Sequence, residues 1–117
     1  MIATPSGVRI VVWSTSIDFR AGMDSLSARV QRLLECSPFC GDLFIFRAKA
    51  ADRVKILVWD GSGLWLHQKR LERGHFVWPP IKNGMITLSS AQLAMLLEGL
   101  DWSRVSPRKT IAPVRAC

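Results

Sequence analysis

A two-strand unit in the middle of the chain limits the possible folds most. Residues 53–59 form a largely apolar run and residues 64–69 a second predicted strand that begins with three apolar residues, and between them lies the tetrapeptide Asp-Gly-Ser-Gly at 60–63. Dipeptides of this kind between apolar runs are typical of β-hairpin turns, because glycine accepts positive φ without a steric cost. The sequence therefore predicts a hairpin, and the rest of the chain has to complete a sheet around it.

Four further short runs favour strands. Residues 8–13 are rich in β-branched side chains, residues 43–46 are all apolar, and residues 76–78 and 85–88 are two more short candidates. Runs of this length bounded by Gly, Pro, Ser or Asn are typical of strands. With connections this short, an antiparallel meander is the simplest arrangement.

Two helices are predicted from apolar residues that recur every three or four positions. The first spans residues 24–35 and has to end before Pro38. The second begins at Ser89, which forms a capping box with Gln92 three residues later, and Gly99 permits its end.

The predicted fold class is α+β, with one antiparallel meander packed against two helices. The chain has 117 residues, of which 49% are hydrophobic, which is enough to bury the core of one domain. We expect this domain to span residues 1–103. Residues 104–117 lack apolar periodicity and carry four cations, so they are predicted to form a flexible basic tail with sequence-independent affinity for phosphate.

The positive charge is concentrated in two blocks. The net charge is +7, and residues 47–73 carry seven basic groups against three acidic ones, while residues 104–117 carry four basic groups and no acidic one. A localised basic block raises the local concentration of polyanions, which indicates nucleic acid as a partner. A solvated surface that only maintains solubility would have the same composition.

The cations of the central block are the candidate nucleic-acid-binding residues. Alternation along strand 53–59 places Arg53 and Lys55 on one face. An exposed Trp59 or Trp65 can stack on bases, although large aromatic residues more often supply a core. The candidates are Arg47, Lys49, Arg53, Lys55, Lys69, Arg70 and Arg73.

A metal site and a catalytic site are not expected. Cys36 and Cys40 are separated by a step that spans Pro38, and no second close pair of ligands accompanies His67 or His75. The carboxylates are scattered along the chain, and no glycine-rich phosphate loop or nucleophile elbow is present. The sequence therefore predicts a protein without cofactor or metal that is not an enzyme.

The expected location is the cytoplasm. No run approaches the roughly 18 apolar residues that a membrane helix needs. Ser6 and Arg9 lie where a secretory signal would need apolar residues. The cysteines number three, and an odd number favours a reducing compartment.

Several segments, in this order and spacing, resemble the TnpB, or second-open-reading-frame, accessory proteins of the insertion-sequence-66 family. The similarity covers roughly residues 8–102. One departure is Phe19, where the family more often has methionine. The segments that carry the resemblance are Asp18-Phe19-Arg20 with Gly22, 41–46, 52–57, 59–63, 69–74, 76–79 and 96–99.

The resemblance implies a role in transposition beside a larger transposase that supplies the catalytic acids. It adds Arg20 to the candidate nucleic-acid-binding residues, although an ion pair between Asp18 and Arg20 would explain both as fold-forming. DNA at the element ends and the transposase are the expected partners, the first because of the charge. Two functions stay open: a nucleic-acid-binding accessory factor, and a protein-interaction module that bridges or activates the transposase without touching DNA.

Overall fold

Five strands and two helices make up the part of the chain that the computed structural model describes, which is residues 7–13, 15–33, 35, 37–78 and 84–101. The elements in chain order are β1 (Ile10–Trp13), α1 (Met23–Leu33), β2 (Leu43–Arg47), β3 (Arg53–Trp59), β4 (Leu64–Arg70), β5 (Met85–Leu88) and α2 (Ser90–Leu97).

The strands form one mixed sheet in the order β4-β3-β2-β1-β5. The predicted meander exists for β2, β3 and β4, which pair antiparallel. β1 instead pairs parallel with β2, because the connection between them contains α1, and a helical crossover returns the chain to the end where it started. β5 closes the other edge antiparallel to β1. The α+β class is confirmed, with a mixed sheet in place of a wholly antiparallel one.

The strand predicted at 76–78 does not form. Phe76 is buried, and its N–H donates to the Ala51 carbonyl at 2.9 Å. The Trp78 indole N–H donates to the same carbonyl at 3.2 Å. This segment crosses the end of the sheet and contributes side chains to the core, so its apolar character reflects burial without strand pairing. The predicted tail at 104–117 lies outside the described residues.

Two separate cores lie on opposite faces of the sheet. Alternate strand residues such as Ile45 and Ile56 pack on the face that α2 covers. Their neighbours Phe44 and Leu57 pack on the other face, below Leu26 of α1. The alternation predicted for β3 is therefore confirmed, and the sheet is the middle layer of three.

The capping box predicted for α2 is present. The Ser89 hydroxyl accepts the Gln92 backbone N–H at 3.1 Å, and the Gln92 side-chain oxygen accepts the Ser89 N–H at 2.9 Å. Gly99 follows the helix with a φ of 74°, the left-handed conformation that ends helices.

A nearly buried ion pair joins the starts of the two parallel strands. Asp42 is 1% exposed, and its two carboxylate oxygens accept the backbone N–H and the Nε–H of Arg9, each at 3.1 Å. The Leu43 N–H donates to the Arg9 carbonyl at 2.9 Å. These bonds fix where β1 and β2 begin to pair.

Because the two cores are separate, small deletions in each should add. Ile17→Val on the α1 face and Ile45→Val on the α2 face should each lower the free energy of unfolding by about 0.5–1.5 kcal/mol. The double variant should show the sum within about 0.5 kcal/mol by urea unfolding. Ile45→Val with Ile56→Val is the control, since these residues are register partners in one core and should couple. Strong coupling between Ile17 and Ile45 would contradict two independent cores.

Candidate nucleic-acid interface

One end of the sheet collects the predicted cations. β2 ends, β3 begins and β4 ends at this place, because these neighbouring strands are antiparallel. The loop after β1 reaches it too, since Ile17 forms a parallel bridge with Ala48 and its N–H donates to the Arg47 carbonyl at 2.9 Å. We call this region the basic end; it contains or adjoins Arg20, Arg47, Lys49, Arg53, Lys55, Lys69, Arg70 and Arg73.

Arg53 and Arg70 lie directly opposite each other in the register of β3 and β4. Their side chains are 39% and 61% exposed, and both line a cleft of about 310 Å³ that has Phe19 and Gln68 in its walls. Like charges directly opposite on neighbouring strands repel each other. An anion bound between the two guanidinium groups would relieve that repulsion.

The Phe19 ring packs against two of the cations. Its ring centroid lies 5.1 Å from the Arg53 guanidinium carbon and 4.5 Å from the Lys55 Nζ. Both distances fall in the range where a cation is attracted to the face of an aromatic ring. Phe19 therefore forms a wall of the cleft.

Lys55 does not reach the surface as predicted. It is 5% exposed, and its Nζ donates to the Ala21 carbonyl at 2.8 Å. The alternation placed it correctly on the face of Arg53, but the loop between β1 and α1 covers that part of the face. In this structure Lys55 anchors the loop, and a phosphate contact would require the loop to move.

The ion pair between Asp18 and Arg20 is present. The Arg20 Nη2 lies 3.1 Å from the Asp18 Oδ2, and the Arg20 N–H donates to the Oδ1 at 2.9 Å. These hydrogen bonds from Arg20 hold the pKa of the Asp18 carboxyl below its ordinary value. Side-chain exposures of 92% and 56% for arginine and aspartate keep the pair in water, where it contributes little to stability.

The two arginines of the cleft have looser acidic neighbours than Arg20 has. Arg53 Nε lies 3.9 Å from Asp52, and Arg70 Nη2 lies 4.0 Å from Glu72. The Arg70 pair is exposed and therefore weak, and the facing Arg53 Nε and Asp52 Oδ1 atoms are buried but form no hydrogen bond with each other, so a phosphate can compete for both guanidinium groups. The basic end therefore contains three carboxylates, those of Asp18, Asp52 and Glu72, which reduce but do not cancel its positive charge.

Lys69 projects to the opposite face from Arg53 and Arg70. It is the register partner of Val54, and its Nζ donates to the Leu97 carbonyl at 2.7 Å, at the C-terminus of α2. A cation is favoured there by the helix dipole. Lys49 and Arg73 are exposed, whereas Arg47 is half-buried. The structure thus brings the candidates to one end but distributes them over two faces of the sheet and three loops.

The two tryptophans considered for stacking differ. Trp59 is half-buried and meets Phe39 edge to face at a centroid distance of 5.3 Å. Trp65 is 54% exposed and lies parallel to His67, with ring centroids 5.6 Å apart and planes 10° apart. His67 was considered only as a metal ligand; its spacing of two from Trp65 along a strand was the signal for this pair.

Asp60 fixes the orientation of Trp65. Its Oδ2 accepts the indole N–H at 2.6 Å, and its Oδ1 accepts the backbone N–H groups of Ser62 and Gly63, each at 2.9 Å. These bonds, led by that from the Ser62 N–H, lower the pKa of Asp60 far below its usual 3.8. The hairpin turn and the exposed indole are therefore held by one carboxylate.

Neither a metal cluster nor a membrane helix is found in the described residues. No group of three or more His, Cys, Asp or Glu side chains there is placed to hold a metal ion. None of the described helices is long and apolar enough to cross a bilayer. Cys36 and Cys117 lie outside the described residues.

Comparison with known proteins places the chain in a family. The model of the family described as "IS66 Orf2 like protein" matches residues 8–107. Two uncharacterized proteins of Sinorhizobium fredii (strain NBRC 101917 / NGR234) are similar over nearly their whole length. The protein y4jC is 44% identical over 98% of both chains, and y4hO is 42% identical over 95% of this chain and 96% of its own. No solved structure matches.

The fold and the basic end are those of a small α+β protein with a cationic surface. The chain belongs to the IS66 Orf2-like family, so the resemblance read from its segments is confirmed.

Lys55 should behave as a structural residue. Lys55→Ala should lower the free energy of unfolding by about 1–3 kcal/mol, because the Ala21 carbonyl loses its donor. Lys55→Met should lose less, because it keeps the stem that packs below Phe19. Lys49→Ala, at an exposed position, should stay within about 0.5 kcal/mol of the wild type in urea unfolding. Equal stability of Lys55→Ala and Lys49→Ala would contradict an anchoring role.

The Asp60 turn should give a pH-dependent contribution to stability. Its folded pKa is lowered, so the ionised carboxylate stabilises the fold fully above the ordinary value of 3.8, and this contribution is lost as the pH falls below it. Asp60→Asn should therefore be less stable than the wild type at pH 6. The difference in urea midpoint, followed by circular dichroism, should shrink below about pH 4. A difference that is constant from pH 6 to pH 2.5 would contradict the role of the charge.

Proposed function

We propose that this protein is an accessory factor in transposition that binds nucleic acid through the basic end, beside a transposase that supplies the catalytic acids. The observation that carries the proposal is the opposition of Arg53 and Arg70 across a cleft. Two arginines placed against each other on a rigid sheet are costly to the fold, whereas a phosphate between them makes the arrangement favourable. We further propose that the protein acts in the cytoplasm, where bacterial DNA lies.

The surrounding cations support phosphate binding without sequence recognition. Lys49 and Arg73 are exposed in the loops that precede β3 and follow β4, the two strands that carry the arginines of the cleft. Cations on separate loops follow a polyanion and add affinity, but they do not read base edges. Selectivity for element ends would then come from the transposase or from the form of the nucleic acid.

A protein-interaction module is the second candidate function. It is favoured by the carboxylates that accompany Arg20, Arg53 and Arg70, since a surface of compensated charges also suits a protein partner. In this case the protein would bridge or activate the transposase without contact to DNA.

A salt titration tests the first candidate. Arg53→Ala with Arg70→Ala should weaken binding to element-end duplex and to unrelated duplex by a similar factor. The slope of log K against log salt should flatten by up to about two units, because each neutralised phosphate contributes about 0.9. The measurement is fluorescence anisotropy of labelled DNA at several salt concentrations.

Arg32→Ala is the matched control, because Arg32 is exposed in the last turn of α1 and lies outside the cleft. It should leave affinity and slope unchanged. If the folded double variant keeps the wild-type affinity and slope, the cleft does not bind DNA. If the wild type binds no nucleic acid at low salt, the bridging function becomes the better explanation.

A further inference from the structure

A row of three side chains on β4 lies on the α2 face of the sheet. Trp65, His67 and Lys69 alternate with residues of the other face, and they are register partners of Val58, Ile56 and Val54. We call this row the β4 shelf. It begins beside the hairpin turn and ends at the basic end.

The exposed indole of the β4 shelf is held in place. Trp65 is 54% exposed, yet its ring is fixed on one side by the parallel His67 ring and at its edge by the Asp60 carboxylate. Asp60 is in turn held by the backbone of its turn. A large apolar ring that is both exposed and ordered needs little further ordering to bind a flat partner.

A cavity opens beside His67. It has a volume of about 510 Å³, with Val54 and Ile56 as an apolar floor and Leu97 of α2 on the far side. Gln68, Lys69 and Glu98 add polar groups to its lining. An apolar floor with a few polar groups is typical of sites that take a planar organic group.

Cations lie at the end of the shelf. Lys69 ends the row and lines the cavity, the next residue, Arg70, projects to the opposite face of β4, and Arg73 follows in the exposed loop. At about 3.3 Å per residue, Trp65 and Lys69 are separated by roughly 13 Å along the strand. Aromatic and apolar surfaces for bases therefore lie next to positive charge for phosphates at this edge of the sheet, which is the combination that single-strand binders use.

We propose that the β4 shelf binds unpaired nucleotides, with one base stacked on Trp65 and a neighbouring base in the cavity beside His67. This inference rests on the proposed nucleic-acid-binding function and names its substrate class as single-stranded nucleic acid. The bases of a duplex are stacked on each other, so their faces are not available to an exposed indole. The shelf therefore gives a preference for single strands, while the cleft of Arg53 and Arg70 supplies affinity for either form.

The test compares two labelled probes, an oligothymidylate and a duplex of the same length, by fluorescence anisotropy at two salt concentrations. The wild type should bind the single strand more tightly. Trp65→Leu should weaken single-strand binding by about 5- to 150-fold, the loss that corresponds to one stacked base. Duplex binding should change by less than about twofold, and the salt slope for both probes should stay the same, since no cation is removed.

Two variants provide the controls. Trp65→Phe keeps an aromatic face and should restore most of the single-strand affinity. Leu100→Ala removes another exposed apolar side chain, with 53% exposure, and should have no effect on either probe. Circular dichroism of each variant checks that the fold is intact.

The failures of the two proposals are distinguishable. If the wild type binds both probes equally and Trp65→Leu changes neither, the shelf is not a base-binding site, and the proposed function of the basic end stands. If Trp65→Leu weakens both probes by the same factor, the preference for single strands is also overturned. If the wild type binds neither probe at low salt, the nucleic-acid-binding function itself fails, and the shelf has to serve a protein partner.

Discussion

The parallel pairing of β1 with β2 is the constraint on which the rest of the structure depends. Because these strands run in the same direction, the loop that follows β1 lies at the end where β2 finishes and β3 begins. The bridge between Ile17 and Ala48 fixes that contact. Asp18, Phe19 and Arg20 are thereby carried over the start of β3, where Phe19 covers Lys55 and borders the cleft. With an antiparallel β1, this loop would lie at the opposite end, and the basic end would lose both its wall and Arg20.

The same pairing explains why two basic residues of β3, Arg53 and Lys55, differ in their exposure and in their roles. The covering loop removes Lys55 from solvent and gives its ammonium group a carbonyl partner, whereas Arg53, two residues earlier, lies at the border of the loop and keeps part of its side chain in water. At the other end of the parallel pair, Asp42 and Arg9 form an ion pair that is largely buried. Position relative to the crossover, more than residue type, decides which cation is structural and which one is able to meet a ligand.

Local sequence patterns predicted most of the strands and helices, but they could not predict which distant strands pair with each other. The Asp-Gly turn, the alternation in β3 and the capping box of α2 depend on neighbours within a few residues, and all three are present. The parallel partner of β1 depends on a residue separation of more than thirty, which periodicity does not encode. The same limit explains two local errors. Phe76 and Trp78 read as a strand because they are apolar, and Lys55 read as exposed because the loop that covers it comes from another part of the chain. Which tryptophan is exposed was likewise undecidable, since the ring contact of Trp59 with Phe39 joins residues twenty positions apart in the chain.

The edge position of β4 separates a structural explanation of its residues from a functional one. Among the described strands, β4 pairs only with β3, so its outer backbone groups are open to pairing with another chain. Charged residues at such an edge oppose aggregation, and this alone would account for Lys69 and Arg70. It does not account for Trp65, because an exposed, ordered indole on an edge strand promotes association. A purely protective edge would have a polar residue there, and it would not use the Asp60 turn to hold an aromatic ring toward solvent. The residue least suited to protecting the edge is therefore the one that points most clearly to a ligand.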